Sequence, residues 1–409
     1  MAVRGSPVLR VLATLGVLGA ALVLAAQYPL SVSMPIGGDA PVFLFGAKAL
    51  VEPTHVPPGE EFHVLQTRFP FAFVFLAAFK IVPVAWPMRF LVAMAVAHLL
   101  GVLAVFWFVR RLVGFWEAVV AALFWAASIG SVNASFHDGT LAALFSVPLV
   151  LLAFDRLQAR SLWGTVGAIV LLAGVHPLAL LFFGLSLASV AGAAVFRGVE
   201  PADRRFLGKI MAILATVAMV SVLLNRRLLS TLLQDLLDRF TPPQLFELLG
   251  TNYGLIFLLA PIGLTVLLAR VAADRLMAAL LLAGSFFAVL LTFNARLGVM
   301  FFPERFQLFF GLIAALAAGC ALPALLRSAF ASLIPQVALG VCMVLIPVTA
   351  AYGHNDRVFQ YHERDPQLAR ERQGELEGYA AIREHLPRGA VIVTSSDRRT
   401  LWVPVLAER

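Results

Sequence analysis

Residues 11–30 read VLATLGVLGAALVLAAQYPL and carry no charge. An uncharged apolar run of about 20 residues is long enough to cross a bilayer as a helix. Arg4 and Arg10 precede it, so the positive-inside bias leaves the N-terminus in the cytoplasm. Leu24-Ala-Ala-Gln resembles a leader cleavage site. The run is longer than a leader's apolar core, however, and further apolar runs follow, so it reads as an uncleaved first helix.

The rest of the chain repeats this pattern. Of 409 residues, 61% are hydrophobic, and the mean hydropathy is +0.90. A soluble domain is excluded, because its apolar fraction is only about half. The expected fold class is an all-α polytopic membrane protein of about eleven transmembrane helices. Apolar length places them at residues 11–30, 88–109, 115–132, 139–155, 162–178, 180–196, 208–224, 254–270, 276–293, 307–326 and 331–351.

Charge tests this count. Arg110 and Arg111, Arg156 and Arg160, Arg197 with Arg204, Arg205 and Lys209, Arg270 and Arg275, and Arg327 all fall on the same, cytoplasmic side. The net charge of +8 is therefore read as topology-setting residues facing anionic lipid, not as a nucleic-acid surface. The expected location is a plasma (bacterial inner) membrane, with the C-terminus outside.

Three stretches are then extracytoplasmic: the loops 31–87 and 225–253, and a polar tail, 352–409. Residues 1–351 form the expected membrane unit and 352–409 a second, small one. Within the first loop, Phe71 to Trp86 is apolar but carries Lys80 and Pro83. Crossing the bilayer there would invert the charge pattern, so the segment is expected to lie at the outer interface or to dip in and out. In the tail, Glu371 to His385 looks helical and Gly389-Ala-Val-Ile-Val-Thr looks like a strand. Cys320 and Cys342 both fall inside expected spans, which argues against a disulfide or zinc site. The sequence contains no phosphate-binding loop, dinucleotide fingerprint, serine elbow or zinc-protease helix.

The charges at the outer mouth are the candidates for chemistry. Asp39 follows Gly37-Gly38 a few residues beyond the first span, where the backbone can turn sharply and approach a ligand closely. It is read as a general base, against the alternative of a solvated turn aspartate. His137 and Asp138 lie at the outer end of the third span. They either orient an acceptor or share a metal with Asp39, and Asp138 equally suits a helix N-cap. Arg296 and Arg305 flank a short outer loop. A guanidinium there binds phosphate through two oxygens, or snorkels and pairs with a neighbouring acid. Lys80, His176, Arg226 and Arg227 suit structural or interfacial roles, with Lys80 kept as a further phosphate ligand. His98 is the main ionisable residue in mid-span.

Several stretches together resemble the GT-C class of polyprenyl-phosphate-dependent glycosyltransferases, the superfamily that includes protein O-mannosyltransferases and aminoarabinose transferases. They are Gly37-Gly38-Asp39 in the first outer loop, Arg68-Phe-Pro-Phe-Ala-Phe before an interfacial helix, Met88-Arg-Phe-Leu through Phe108-Val-Arg-Arg-Leu-Val-Gly, and Leu386-Pro-Arg-Gly-Ala-Val-Ile-Val. The sequence departs from the family pattern in two places: Phe71 replaces the second proline of a Pro-Pro pair, and no Asp-Asp or Asp-x-Asp accompanies Asp39. The resemblance implies an inverting sugar transfer from a polyprenyl-phosphate donor to a lipid, glycan or protein acceptor. Asp39 would be the base, Asp138 and His137 would stand at the acceptor or a divalent cation, and Arg305, Arg296 and Lys80 would bind the donor phosphate. The alternatives are a secondary transporter or flippase, or a non-catalytic subunit of an envelope assembly. A transporter usually holds its ionisable residues at mid-membrane.

Overall fold

The computed structural model describes residues 7–27, 30, 32, 35, 40–52, 70–132, 134, 140–196, 201–224, 254–294 and 303–360, together with 374, 377–382 and 384–387. Among the described residues every regular element is helical. In chain order these are α1 (Pro7–Ala26), α2 (Ala40–Val51), α3 (Pro70–Ala78), α4 (Trp86–Leu112), α5 (Phe115–Ala126), α6 (Ile129–Val132) and α7 (Leu141–Gln158). They continue with α8 (Leu162–Val175), α9 (Pro177–Phe196), α10 (Pro201–Leu224), α11 (Gly254–Arg270), α12 (Arg275–Thr292), α13 (Pro303–Ala329) and α14 (Leu333–Phe359).

A helix lies under each expected span. Six of them are long and apolar enough to cross a membrane by length and composition: those within α4, α7, α9, α12, α13 and α14. α1, α5, α8 and α11 are apolar but shorter. The expected span 115–132 is not continuous. α5 ends at Ala126, and Ser128 starts a new turn by accepting from the Ser131 N–H at 3.4 Å, while the Ser131 hydroxyl returns to the Ala126 carbonyl at 3.2 Å. Serine competes with the helix for backbone partners, and the following Gly130 weakens the helix further. The tail has no helix boundary at residue 351, because α14 runs on to Phe359. The expected strand near Gly389 and the loop 225–253 lie outside the described residues.

The connection between α1 and α4 holds an element that its sequence does not announce. α2 is buried along most of its length, from Ala40 through Lys48 and Ala49. α3 packs against it so closely that the Phe73 ring lies 2.8 Å from where a Cβ on Gly46 would stand. Phe71 fills the gap left by Gly174 on α8 in the same way. α3 and the 3-10 turn Phe79–Ile81 end in a bend before α4. The 70–81 segment falls with α1, α5, α8 and α11 among the apolar helices shorter than the roughly 20 residues a crossing needs.

α13 is the central helix, its apolar window 83% buried. Small residues let its neighbours approach to backbone distance, as is usual where membrane helices pack without a hydrophobic driving force. A Cβ on Gly263 of α11 would overlap the Ala317 carbonyl, and one on Gly319 would stand 2.4 Å from the Ala121 side chain on α5. α5 and α13 run antiparallel: Glu117 meets Arg327, Ala121 meets Gly319, Ser128 meets Gly311, and Gly130 meets Gln307 and Leu308.

Contacts at the helix ends define two faces. Arg10 lies over the Phe115 ring at 5.8 Å, so α1 and α5 start on the same face. That face gathers the basic clusters. Arg111 pairs with Asp155, and Arg156 also reaches Asp155, at 3.7 Å. Arg160 holds Asp203 by two hydrogen bonds, of 2.7 and 2.9 Å, and Arg327 donates to Glu117 at 2.5 Å. Ser161 and Asp274 cap α8 and α12 on the same side, accepting from Gly164 and Met277. At the far end, the Gln27 amide donates to the Tyr352 hydroxyl at 3.1 Å and Asn355 donates to the Leu24 carbonyl at 3.3 Å. Pro7 and Phe359 therefore lie at opposite ends of the bundle.

Candidate functional site

The end opposite the basic face carries the connections in which the sequence placed its chemistry. Asp39, His137, Asp138 and Arg296 lie outside the described residues, as do Arg226 and Arg227. The backbone that brackets them is described. Ala40 begins α2, so Asp39 directly precedes a helix held by its buried faces. Phe43, one turn in, stacks on Phe90 near the start of α4, with 6.3 Å between centroids. The segment 135–139 is closed at its base, where the Thr140 N–H donates to the Ala134 carbonyl at 3.0 Å. His137 and Asp138 thus belong to a short connection whose two ends are tied together.

The segment 295–302, which includes Arg296, runs between α12 and α13. Phe293, at the end of α12, meets the edge of Phe310 at 5.6 Å, and Phe257, near the start of α11, lies against the same ring at 4.9 Å. Phe182 of α9 stacks on Phe309 at 4.8 Å. α6 reaches the same two turns of α13 through Gly130. Four helices are therefore seated around the beginning of α13.

Arg305 stands in the first turn of α13, partly exposed. Gly130 of α6 meets Gln307 and Leu308, less than one turn along α13 from Arg305, and four residues beyond Gly130 the Ala134 carbonyl closes the 135–139 segment. Arg305 is the candidate arginine whose position is described, and it lies on the helix that packs against α6, the turn that precedes His137 and Asp138. A guanidinium in a helix's first turn also lies near unpaired backbone N–H groups, which together suit an anion.

Lys80 has a different surrounding. Its ammonium donates to the Val51 carbonyl at 3.2 Å, capping the C-terminal end of α2, where positive charge opposes the helix dipole favourably. Nearby, the Trp86 indole donates to Glu52 at 3.3 Å. Arg89 donates to the Val82 carbonyl at 3.1 Å and lies over the Trp86 ring at 4.7 Å. These polar side chains lock the first loop onto α4. Sequence reading did not single out Glu52, Trp86 or Arg89. The signal was an aromatic beside an arginine at the foot of a span.

Two histidines complete the picture. His176 caps α9, its Nδ1 accepting from the Ala179 N–H at 3.2 Å, so its expected structural role has a geometric basis. His98 is 1% exposed within α4, and neither ring nitrogen has a hydrogen-bond partner. Among the described residues no three His, Cys, Asp or Glu side chains gather as a metal site.

No family model and no curated protein matches the chain. Solved structures do. An Archaeoglobus fulgidus oligosaccharyltransferase, AglB, in complex with an inhibitory peptide and a dolichol-phosphate matches at a TM-score of 0.59 and 14% identity, over 97% of this chain and 63% of that one. The oligosaccharyltransferase of the same organism, tethered to an acceptor peptide containing the NVT sequon, matches at 0.63 and 15% identity, over 99% and 64%. A further structure of it, with Zn and sulfate, matches at 0.59 and 15% identity, over 96% and 61%. The chain shares its fold with these GT-C-type enzymes and spans less than two thirds of their length.

Proposed function

We propose that the chain is an integral-membrane glycosyltransferase that takes a sugar from a polyprenyl-phosphate carrier and transfers it, with inversion, to an acceptor outside the cytoplasm. The observation that carries this reading is the shared fold. Almost the whole chain follows the course of an oligosaccharyltransferase whose structures hold a dolichol-phosphate or an acceptor peptide. The basic face, with its paired acids, is assigned to the cytoplasm and the opposite end to the reaction. That orientation fits a bacterial inner membrane, with the tail outside.

In this mechanism the acceptor hydroxyl attacks the anomeric carbon. A new carbon–oxygen bond forms as the bond from carbon to the phosphate oxygen breaks, and polyprenyl phosphate departs with the electron pair. Asp39 takes the hydroxyl proton. Arg305 and Arg296 stabilise the charge that grows on the leaving phosphate. Asp138 and His137 orient the acceptor. The carrier tail lies among apolar helix faces, in contact with membrane lipid. Where a divalent cation takes part, Asp39 and Asp138 would supply its oxygen ligands. No step above runs through it. Lipid, glycan and protein acceptors all fit this chemistry, and no nucleic acid enters it.

The test supplies radiolabelled polyprenyl-phosphate sugars to the purified chain in nanodiscs and follows label into envelope lipid, glycan and peptide fractions. Transfer that requires the chain supports the reading. Arg305→Ala is expected to weaken binding of polyprenyl phosphate and to lower turnover. Movement of the lipid or of a solute across the bilayer without any glycosylated product would replace the reading with a transporter or flippase.

A further inference from the structure

The break between α5 and α6 is unusual among the contacts of α13. Elsewhere on that helix, small residues meet continuous helix walls, as Gly319 does at Ala121. At Gly130 the partner is a separate four-residue turn that has its own serine cap and buried hydroxyls at Ser128 and Ser131. A Cβ on Gly130 would stand 2.5 Å from the Gln307 carbonyl oxygen and 2.7 Å from the Leu308 Cα. Both are backbone atoms and cannot swing aside. Gln307 and Leu308 lie less than one turn from Arg305, and Ala134 closes the next connection onto Thr140. The missing side chain at residue 130 thus determines how closely this turn sits against the first turns of α13.

We infer that Gly130 is a positioning residue for Arg305, fixing where that guanidinium stands relative to a lipid-borne phosphate. The inference rests on the donor assignment proposed above. Breaking the helix at Ser128 frees the turn from the axis of α5. The turn can then be set by its contact with α13 rather than by the long helix beneath it. Any side chain at residue 130 forces the two backbones apart. A misplacement of about 1 Å at a reacting group can cost about a hundredfold in rate, so the displacement is large enough to read.

The experiment uses the full chain in nanodiscs and two readouts: binding of polyprenyl phosphate, and the KM and kcat for transfer from its sugar. Gly130→Ala is expected to weaken lipid-phosphate binding and raise donor KM by about tenfold, equivalent to about 1.4 kcal/mol, with a smaller change in kcat. In the Arg305→Ala background the same change should add nothing, because residues coupled through a backbone shift are non-additive. Gly319→Ala is the matched control. Its Cβ meets Ala121 at a similar 2.4 Å, about three turns farther along the same helix, so it should lower yield but leave donor affinity alone.

Gly311→Ala covers the case in which Gly130→Ala does not fold. Its Cβ meets the Ser128 side chain at 3.0 Å and reaches the Gly130 backbone N only at an ordinary 3.8 Å, so it should give a smaller shift in the same direction. Wild-type donor affinity in whichever of Gly130→Ala and Gly311→Ala folds would overturn the inference. So would an equal shift in Gly319→Ala, or additivity with Arg305→Ala. A wild-type chain that neither binds polyprenyl phosphate nor transfers sugar would overturn the functional reading, and the inference with it.

Discussion

The two ends of the bundle use charge in opposite ways. At the basic end, acids are matched to arginines: Asp155 to Arg111 and Arg156, Asp203 to Arg160, and Glu117 to Arg327. Asp155 and Glu117 are buried, and each is held by a side chain from another helix. These pairs fasten α4 to α7, the α7–α8 turn to α10, and α5 to α13. At the other end, polar side chains bond mostly to backbone. Lys80 caps α2, Arg89 holds the Val82 carbonyl, and His176 caps α9. There, apart from the Gln27–Tyr352 and Asn355–Leu24 bonds between α1 and α14, these side chains shape connections. One end is built for orientation and cohesion. The other fixes short segments around the start of α13, where a substrate phosphate is proposed to lie.

The largest effect that tests this division is expected at Asp39. Asp39→Asn keeps the shape and removes the base, and general-base help is worth roughly 100- to 10,000-fold in rate. Sugar transfer should nearly vanish while binding of polyprenyl phosphate survives. Full activity would remove Asp39 from the mechanism and leave Asp138 as the next acid to test.

Arg111→Ala probes the opposite end. It leaves Asp155 buried, with only the 3.7 Å contact to Arg156. Arg111 is itself nearly half exposed, so leaving the buried Asp155 carboxyl without it costs about 2 kcal/mol, which should appear as a lower unfolding temperature in detergent. Donor KM should not move. A changed KM with unchanged stability would dissolve the distinction between the ends.

Lys80→Met sharpens the comparison within the outer end. If the ammonium serves as a helix cap, the loss is about 1 kcal/mol of stability, and donor affinity stays at the wild-type level. A several-fold rise in donor KM would instead restore Lys80 as a phosphate ligand.

The smallest effect concerns acid. The hydrogen bonds from Arg160 hold the Asp203 carboxyl below its ordinary value of 3.8. A depressed value means that the pair's contribution is fully present above that ordinary value. It is lost as pH falls through the depressed one. Asp203→Asn should therefore flatten the acid limb of a thermal-unfolding profile slightly and leave the neutral region almost unchanged. The arginine is half exposed, which keeps the effect small.

Much of this architecture was legible in the chain itself. The apolar runs and the arginine clusters depend on composition over a window and on a side preference, both local properties. That is why a helix lies under each expected span and why Arg111, Arg160 and Arg327 share a face. The candidate site was legible only as a list. Asp39, Asp138 and Arg305 could be assigned to one end, but nothing local says which connections are tied together at their bases.

Tertiary structure decided the rest. α2 is too short to register as a span and is buried on too many sides to show an amphipathic period, so APVFLFGAKALV reads as loop until Phe73 and Phe90 are seen against it. The interruption at Ser128 looks like a continuous apolar run until Gly130 is seen against the backbone of α13. That Lys80 caps the end of α2 shows only once Val51 is placed beside it. Sequence alone determined that the chain is built of apolar helices with its basic clusters gathered at one end, because hydrophobic length and charge act residue by residue. Close approach, helix breaks and caps between distant segments were decided only in three dimensions, because each depends on the surface that a second part of the chain presents.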